Sequence, residues 1–223
     1  MTIIKQMVTL LLLVSLWCVP VAMAKGGDGC QRCGPPSGTF TNPIVDEDTP
    51  DPWVVYKDGF YYMTFTHYGK DIVVWKTRSL TDMRNAKKVT VWKPPTGTKY
   101  SHGIWAPELH WIDGKWYIYF AADDGSNPNH RMYVLESNTP NAQGSYTFKG
   151  KIADPKHDVW AIDGTVMKHN GNMYFVWSGW EHADSGFPQN LYISPMSNPW
   201  TISGERQMIS TPTYLGKERQ RSE

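Results

Sequence analysis

Pro52-Trp53-Val54-Val55-Tyr56-Lys57-Asp58-Gly59-Phe60-Tyr61-Tyr62 is an apolar run, an Asp-Gly pair and an aromatic run. Asp-Gly between two such runs is the strongest short signal for a β-hairpin. The pattern returns at Leu109-His110-Trp111-Ile112-Asp113-Gly114-Lys115-Trp116-Tyr117 and again at Val166-Met167-Lys168-His169-Asn170-Gly171-Asn172-Met173-Tyr174. The turn glycines stand at 59, 114 and 171, so the intervals are 55 and 57 residues. Such a period fits a β-propeller of four-stranded blades. Other strand-like runs are Phe60 to Thr66, Ile72 to Lys76, Trp116 to Ala121, Arg131 to Glu136, Met173 to Trp177 and Leu191 to Ser194. No stretch after residue 24 sustains helical periodicity, and the fold class is therefore all-β.

Working outward from the hairpins, each copy has a carboxylate near its first strand, which in a propeller lines the central channel. Asp51 and Asp163 both lie eight residues before the turn glycine, and Glu108 lies six before it. Two residues along a strand keeps the same face, so the three acids are expected to share one funnel. Paired acids around a funnel suit glycoside hydrolysis, because one activates water, another protonates the leaving oxygen, and proximity separates their pKa values. Each acid also has an ordinary explanation. Asp51 lies in the turn-like Pro50-Asp51-Pro52, Asp163 precedes Gly164, and Glu108 can bond to strand backbone.

Composition removes other classes of function. Lys plus Arg number 22 against 21 Asp plus Glu, a formal charge of +1, and no local basic patch supports nucleic-acid binding. Aromatic residues make up 13% of the chain; they can pack sheets together or line a groove for sugar rings. Residues 1–24 read as a cleaved signal peptide, with Lys5, an apolar run from Met7 to Val19, and Val21-Ala22-Met23-Ala24. A secreted protein with no membrane association after cleavage is expected. Residues 25–39 are a Gly/Pro-rich linker, where Cys30 and Cys33 suit a local disulfide better than zinc. His102, His110, His157 and His169 have no metal-ligand spacing, and neither a metal nor another cofactor is expected. Phosphate-binding glycine loops and Gly-x-Ser-x-Gly are absent.

A set of words in fixed order goes further. Asn42-Pro43-Ile44 with Thr49-Pro50-Asp51-Pro52, Ile104-Trp105-Ala106-Pro107-Glu108, Trp160-Ala161-Ile162-Asp163-Gly164, Trp177-Ser178-Gly179-Trp180, and Gln189-Asn190-Leu191-Tyr192 with Asn198-Pro199-Trp200 together resemble glycoside hydrolase family 43. The subgroup it resembles is that of the secreted α-L-arabinofuranosidases and exo-arabinanases, and the resemblance runs from about Phe40 to Tyr214. It implies a five-bladed propeller and hydrolysis of arabinose- or xylose-containing polysaccharide (arabinan, arabinoxylan) with inversion. By the same resemblance Asp51 matches the general base and Asp163 the acid that tunes the general acid's pKa. Trp105, Glu108, Trp160, Ala161, Ile162, Ser178, Gly179 and Trp180 match residues that line the pocket.

The family's general acid lies in a later Glu-Gly-Pro segment, which this sequence does not contain. The repeat supplies about three blades, over roughly 170 residues, where small closed propellers have about four. The reading is thus a partial glycosidase domain over 40–214, an aberrant charged tail over 215–223, and a chain of little or no activity. The competing reading is a non-catalytic, sugar-binding propeller. An invertase-like fructosidase would need Asn-Asp-Pro where this chain has Pro50-Asp51-Pro52.

Overall fold

The computed structural model describes Phe40, residues 42–183 and residues 188–212. The signal segment 1–24, the linker 25–39 with Cys30 and Cys33, and the tail 215–223 lie outside the described residues. Within them the chain is nearly all strand. The first sheet holds β1 (Trp53–Lys57), β2 (Phe60–Thr64), β3 (Ile72–Thr77) and β4 (Lys87–Trp92), in that spatial order. The second holds β5 (His102–Ile112), β6 (Lys115–Asp123), β7 (Arg131–Ser137) and β8 (Tyr146–Ile152). The third holds β9 (Ala161–His169), β10 (Asn172–Gly179), β11 (Asn190–Asn198) and β12 (Thr201–Ile202), and β13 (Gln207–Ser210) also pairs with β11. Each sheet is an antiparallel meander, the form of a propeller blade.

The three quoted repeats are the β1–β2, β5–β6 and β9–β10 hairpins. Their turn pairs, Asp58-Gly59, Asp113-Gly114 and Asn170-Gly171, all have positive φ at both residues. That is the type I′ turn, whose twist matches the flanking strands. The outer strands β4, β8, β12 and β13 escape the sequence reading because no Asp-Gly or Asn-Gly marks them and their exposed faces dilute the apolar pattern. The expected helix-free character holds, apart from two short 3-10 turns at Leu80–Asn85 and Asn127–Asn129.

Strand periodicity explains how the blades stack. In β6, Trp116, Ile118, Phe120 and Ala122 pack with Tyr62, Ile72 and Val74 of blade 1. The alternate residues Tyr117, Tyr119 and Ala121 pack with Phe175, Trp177 and Tyr192 of blade 3. A strand buried on both faces reads as a continuous apolar run, which is the form of Trp116 to Ala122. Most of the aromatic residues are consumed in these two interfaces, each buried ring contributing about 1.5–3 kcal/mol. This stacking brings the leading strands side by side, β1 against β5 and β5 against β9. Trp53 Nε1 pins the first pair by donating to the Leu109 carbonyl at 2.9 Å.

Candidate active site

The leading strand of every blade is interrupted at the same place. In blade 2 the register passes from Trp105 opposite Ala121 to Glu108 opposite Tyr119, so Ala106 and Pro107 face one residue, Phe120. In blade 3 it passes from Ile162 opposite Ser178 to Thr165 opposite Val176, so Asp163 and Gly164 face Trp177. In blade 1 the Thr66 amide donates to the Pro50 carbonyl and Trp53 pairs with Thr64, which leaves Asp51 and Pro52 facing Phe65. Two residues against one is a β-bulge, which kinks the strand and re-aims its side chains. A bulge also accommodates Pro52 and Pro107, since it relaxes the demand for a ladder N–H.

The first residue of each bulge has left-handed φ: 54° at Asp51, 42° at Ala106 and 52° at Asp163. All three stand eight residues before their turn glycines, so the repeat extends through the bulge. Glu108 therefore does not share a regular strand face with the eighth position, as simple alternation predicts, because the bulge lies between. The acids converge nonetheless. Burial first, and then the charges of Asp51 and Glu108, hold the Asp163 carboxyl above its ordinary 3.8. Asp163 keeps solvent-accessible surface, so protein crowds the carboxyl from one side while water still reaches it.

Hydrogen bonds between blades fix these positions. Thr66 Oγ1 donates to Asp51 Oδ2 at 2.8 Å and accepts the Ala106 N–H at 2.8 Å. One hydroxyl thus orients the acid of blade 1 and ties down the bulge of blade 2. Glu108 Oε2 lies 2.9 Å from His110 Nε2, and the His110 ring packs at 4.9 Å in a tilted contact with Trp53 and meets Tyr119 edge-on. Among the described residues neither Asp51 nor Asp163 has a cation within the 4.0 Å of an ion pair. Like charges held together without a counterion are a device for separating pKa values.

The other expected residues fall into one neighbourhood. Ala161 stands opposite Gly179, Ile162 stands opposite Ser178, and the Trp180 amide donates to the Trp160 carbonyl. Trp160 and Trp180 are buried and stack on each other at 5.1 Å. Trp105 is half-buried and stacks at 3.8 Å on the fully buried His130. The His130 ring nitrogens face the carbonyls of Gly103 and Asn127 and the Asp123 carboxylate at 3.1 Å. Its backbone carbonyl accepts the Ala161 N–H. Gly103 is obligatory here, because a Cβ would stand 2.7 Å from the His130 ring. Thr66 and His130 carry no motif; only an alignment of the three repeats, which exposes Ala106, points toward them. Among the described residues no group of three or more His, Cys, Asp or Glu side chains is arranged around a metal site.

The profile of glycosyl hydrolases family 43 matches residues 40–221. The chain belongs to this family. The family-43 chain is 43% identical over 183 residues to an extracellular exo-α-(1→5)-L-arabinofuranosidase of Streptomyces avermitilis, a match covering 80% of the chain and 37% of that protein. It is 33% identical to α-L-arabinofuranosidase 43 of Humicola insolens, covering 86% of the chain and 40% of the relative. The solved α-L-arabinofuranosidase of Lactobacillus brevis superposes with a TM-score of 0.72 at 35% identity, over 79% of this chain and 57% of that one. The family-43 chain thus spans about 40 to 60% of the length of these relatives. No helix among the described residues is long and apolar enough to cross a membrane.

Proposed function

We propose that these blades carry two of the working acids of an inverting glycosidase that acts on arabinose- or xylose-containing polysaccharide such as arabinan or arabinoxylan. The observation that carries the reading is that the charges of Asp51 and Glu108, from the leading strands of blades 1 and 2, reach the Asp163 carboxyl of blade 3. Asp51 is the general base: its Oδ2 is held by Thr66, and it takes a proton from the water that attacks the anomeric carbon. Asp163 is the second acid, whose charge raises the proton affinity of the family's general acid, a group that the described residues do not supply. Glu108 and Trp105 line the pocket from blade 2. Trp160, Ala161, Ile162, Ser178, Gly179 and Trp180 line it from blade 3, the two tryptophans mainly by supporting one another. No described residue is assigned the protonation of the leaving group. The relatives named as extracellular and the apolar leader 1–24 support a secreted protein whose glycosidase domain begins near residue 40.

The test is hydrolysis of arabino-oligosaccharides by this chain extended with the family's later blades and their Glu-Gly-Pro acid, with the anomeric form of the released sugar read by NMR before mutarotation. Inverted sugar is expected first, and Asp51→Asn is expected to lower kcat by about 10²–10⁴-fold while oligosaccharide binding persists. Retained configuration, or an Asp51→Asn variant as fast as the parent, overturns the reading. Binding without turnover in the parent assigns a sugar-binding propeller instead.

A further inference from the structure

At the hairpin end of blade 1, seven residues of strand and so roughly 20 Å from Asp51, a second concavity opens. It is a cleft of about 680 Å³ between Phe60, Lys76 and Lys87 on one wall and Pro140, Asn141 and Gln143 on the other. The register sets Tyr62 opposite Lys76 and Lys76 opposite Lys87, so two ammonium groups share one cross-strand row. Like charges directly opposite on neighbouring strands destabilise a sheet. Among the described residues no carboxylate lies within the 4.0 Å of an ion pair from Lys76, Lys87 or the adjacent Arg78. Asp58, the acid on the cleft wall, is bonded to Lys57 at 2.6 Å.

Aromatic rings position Lys76 and Arg78 without neutralising them. Lys76 Nζ lies 4.0 Å from the centroid of Phe60 and 5.3 Å from that of Tyr62, and the Arg78 guanidinium lies 4.4 Å from Phe60. The opposite wall is anchored as well. Gln143 Nε2 donates to the carbonyls of Val74 at 2.8 Å and Lys87 at 2.7 Å, and Trp116 Nε1 donates to the Pro140 carbonyl at 2.9 Å. The cleft is therefore preformed, and its occupant must bring negative charge. One inorganic anion fills only a fraction of the volume. The Asn141 amide offers hydrogen bonds for hydroxyls, and Pro140 offers an apolar face for ring C–H groups.

We propose that this cleft binds a carboxylated sugar residue, a hexuronate within a polysaccharide, with Lys76 and Lys87 at the carboxylate. The sugar half of the assignment rests on the glycan reading above, and the anionic half rests on the cleft alone. The experiment is calorimetric titration of the full chain with tetragalacturonate, arabinotetraose and inorganic phosphate. Tetragalacturonate is expected to bind, to weaken as salt is raised, and to lose at least tenfold in affinity in Lys76→Gln/Lys87→Gln. Asp51→Asn is expected to leave that affinity unchanged, which separates this site from the axis. Lys87→Gln alone relieves the like-charge pair, so it should melt no lower than the parent and still bind tetragalacturonate at least threefold more weakly. Undiminished affinity in that folded single variant overturns the proposal. So does displacement of tetragalacturonate by arabinotetraose, or phosphate binding as tight as tetragalacturonate. Failure of arabino-oligosaccharide hydrolysis with uronate binding intact removes the enzyme reading and leaves this one standing.

Discussion

Blades 1 and 3 put an aspartate at the left-handed residue of the leading-strand bulge, and blade 2 puts an alanine there. Aspartate tolerates that conformation better than most residues, whereas alanine has no side chain to compensate for the crowding of its Cβ. Ala106 is held by a bond from outside its own blade, its N–H donating to Thr66. The backbone device has thus been kept in a blade that does not use it to present an acid at that position. Blade 2 supplies its carboxylate two residues later, from Glu108, beyond the kink. The bulge is therefore a property of the blade architecture, and the acid is an addition to it.

The comparison can be broken most forcefully at the second bulge residue. Pro107 and Gly164 occupy equivalent places, but at Gly164 a Cβ would lie 2.3 Å from Phe175 Cζ and 2.8 Å from Met132 Cε. Gly164→Ala should destabilise by ~1–3 kcal/mol in urea unfolding, and a variant as stable as the parent would mean that the core between blades 2 and 3 yields freely. Next in size is Thr66→Val, which removes the donor to Asp51 and leaves the Ala106 N–H without its acceptor. A loss of about 1–2 kcal/mol is expected, with Thr66→Ser close to the parent; equal losses in both variants would mean that the methyl group matters and the hydroxyl does not.

Ala106→Gly tests the strain directly. Relief of the left-handed alanine exceeds the added chain entropy of glycine by about 0.5–1 kcal/mol, so the variant should melt higher. A lower melting temperature would show that Ala106 is not strained. The subtlest test is Asp163→Asn. The folded-state pKa of Asp163 is raised above its ordinary 3.8, so the folded chain holds this proton more tightly than the unfolded chain does. That contribution is present below 3.8, declines as pH rises through the folded value, and leaves the ionised group as a net cost at neutral pH. Asp163→Asn should thus melt higher than the parent at pH 7, with the gap closing toward pH 3.5. A gap that stays constant across this range would exclude Asp163 titration as its source.

Much of the architecture was legible because it is periodic. Asp-Gly and Asn-Gly pairs can adopt the positive φ that type I′ turns need, so Gly59, Gly114 and Gly171 mark three hairpins without any tertiary information. The outer strand Lys87–Trp92 was not legible, since a half-exposed edge relaxes the demand for apolar side chains. At the site, Asp51 and Asp163 stood out by equal spacing from their glycines. Glu108 was reached through an alternation that the bulge at Ala106-Pro107 interrupts. Thr66 was invisible, because its two partners are 15 and 40 residues away and nothing in Phe65-Thr66-His67 announces them.

By itself the sequence determined the class of fold, the leading hairpin of each of three blades and which carboxylates lie near them, because turns, alternation and repeat spacing are local and leave their imprint on neighbouring residues. Only the tertiary structure decided that Asp51 and Glu108 come within electrostatic reach of Asp163, that a threonine from one blade holds the bulge of the next, and that Lys76 and Lys87 stand side by side on one wall of a cleft. Electrostatic coupling and hydrogen bonding depend on distance through space, and that distance is set by the stacking of one blade on another.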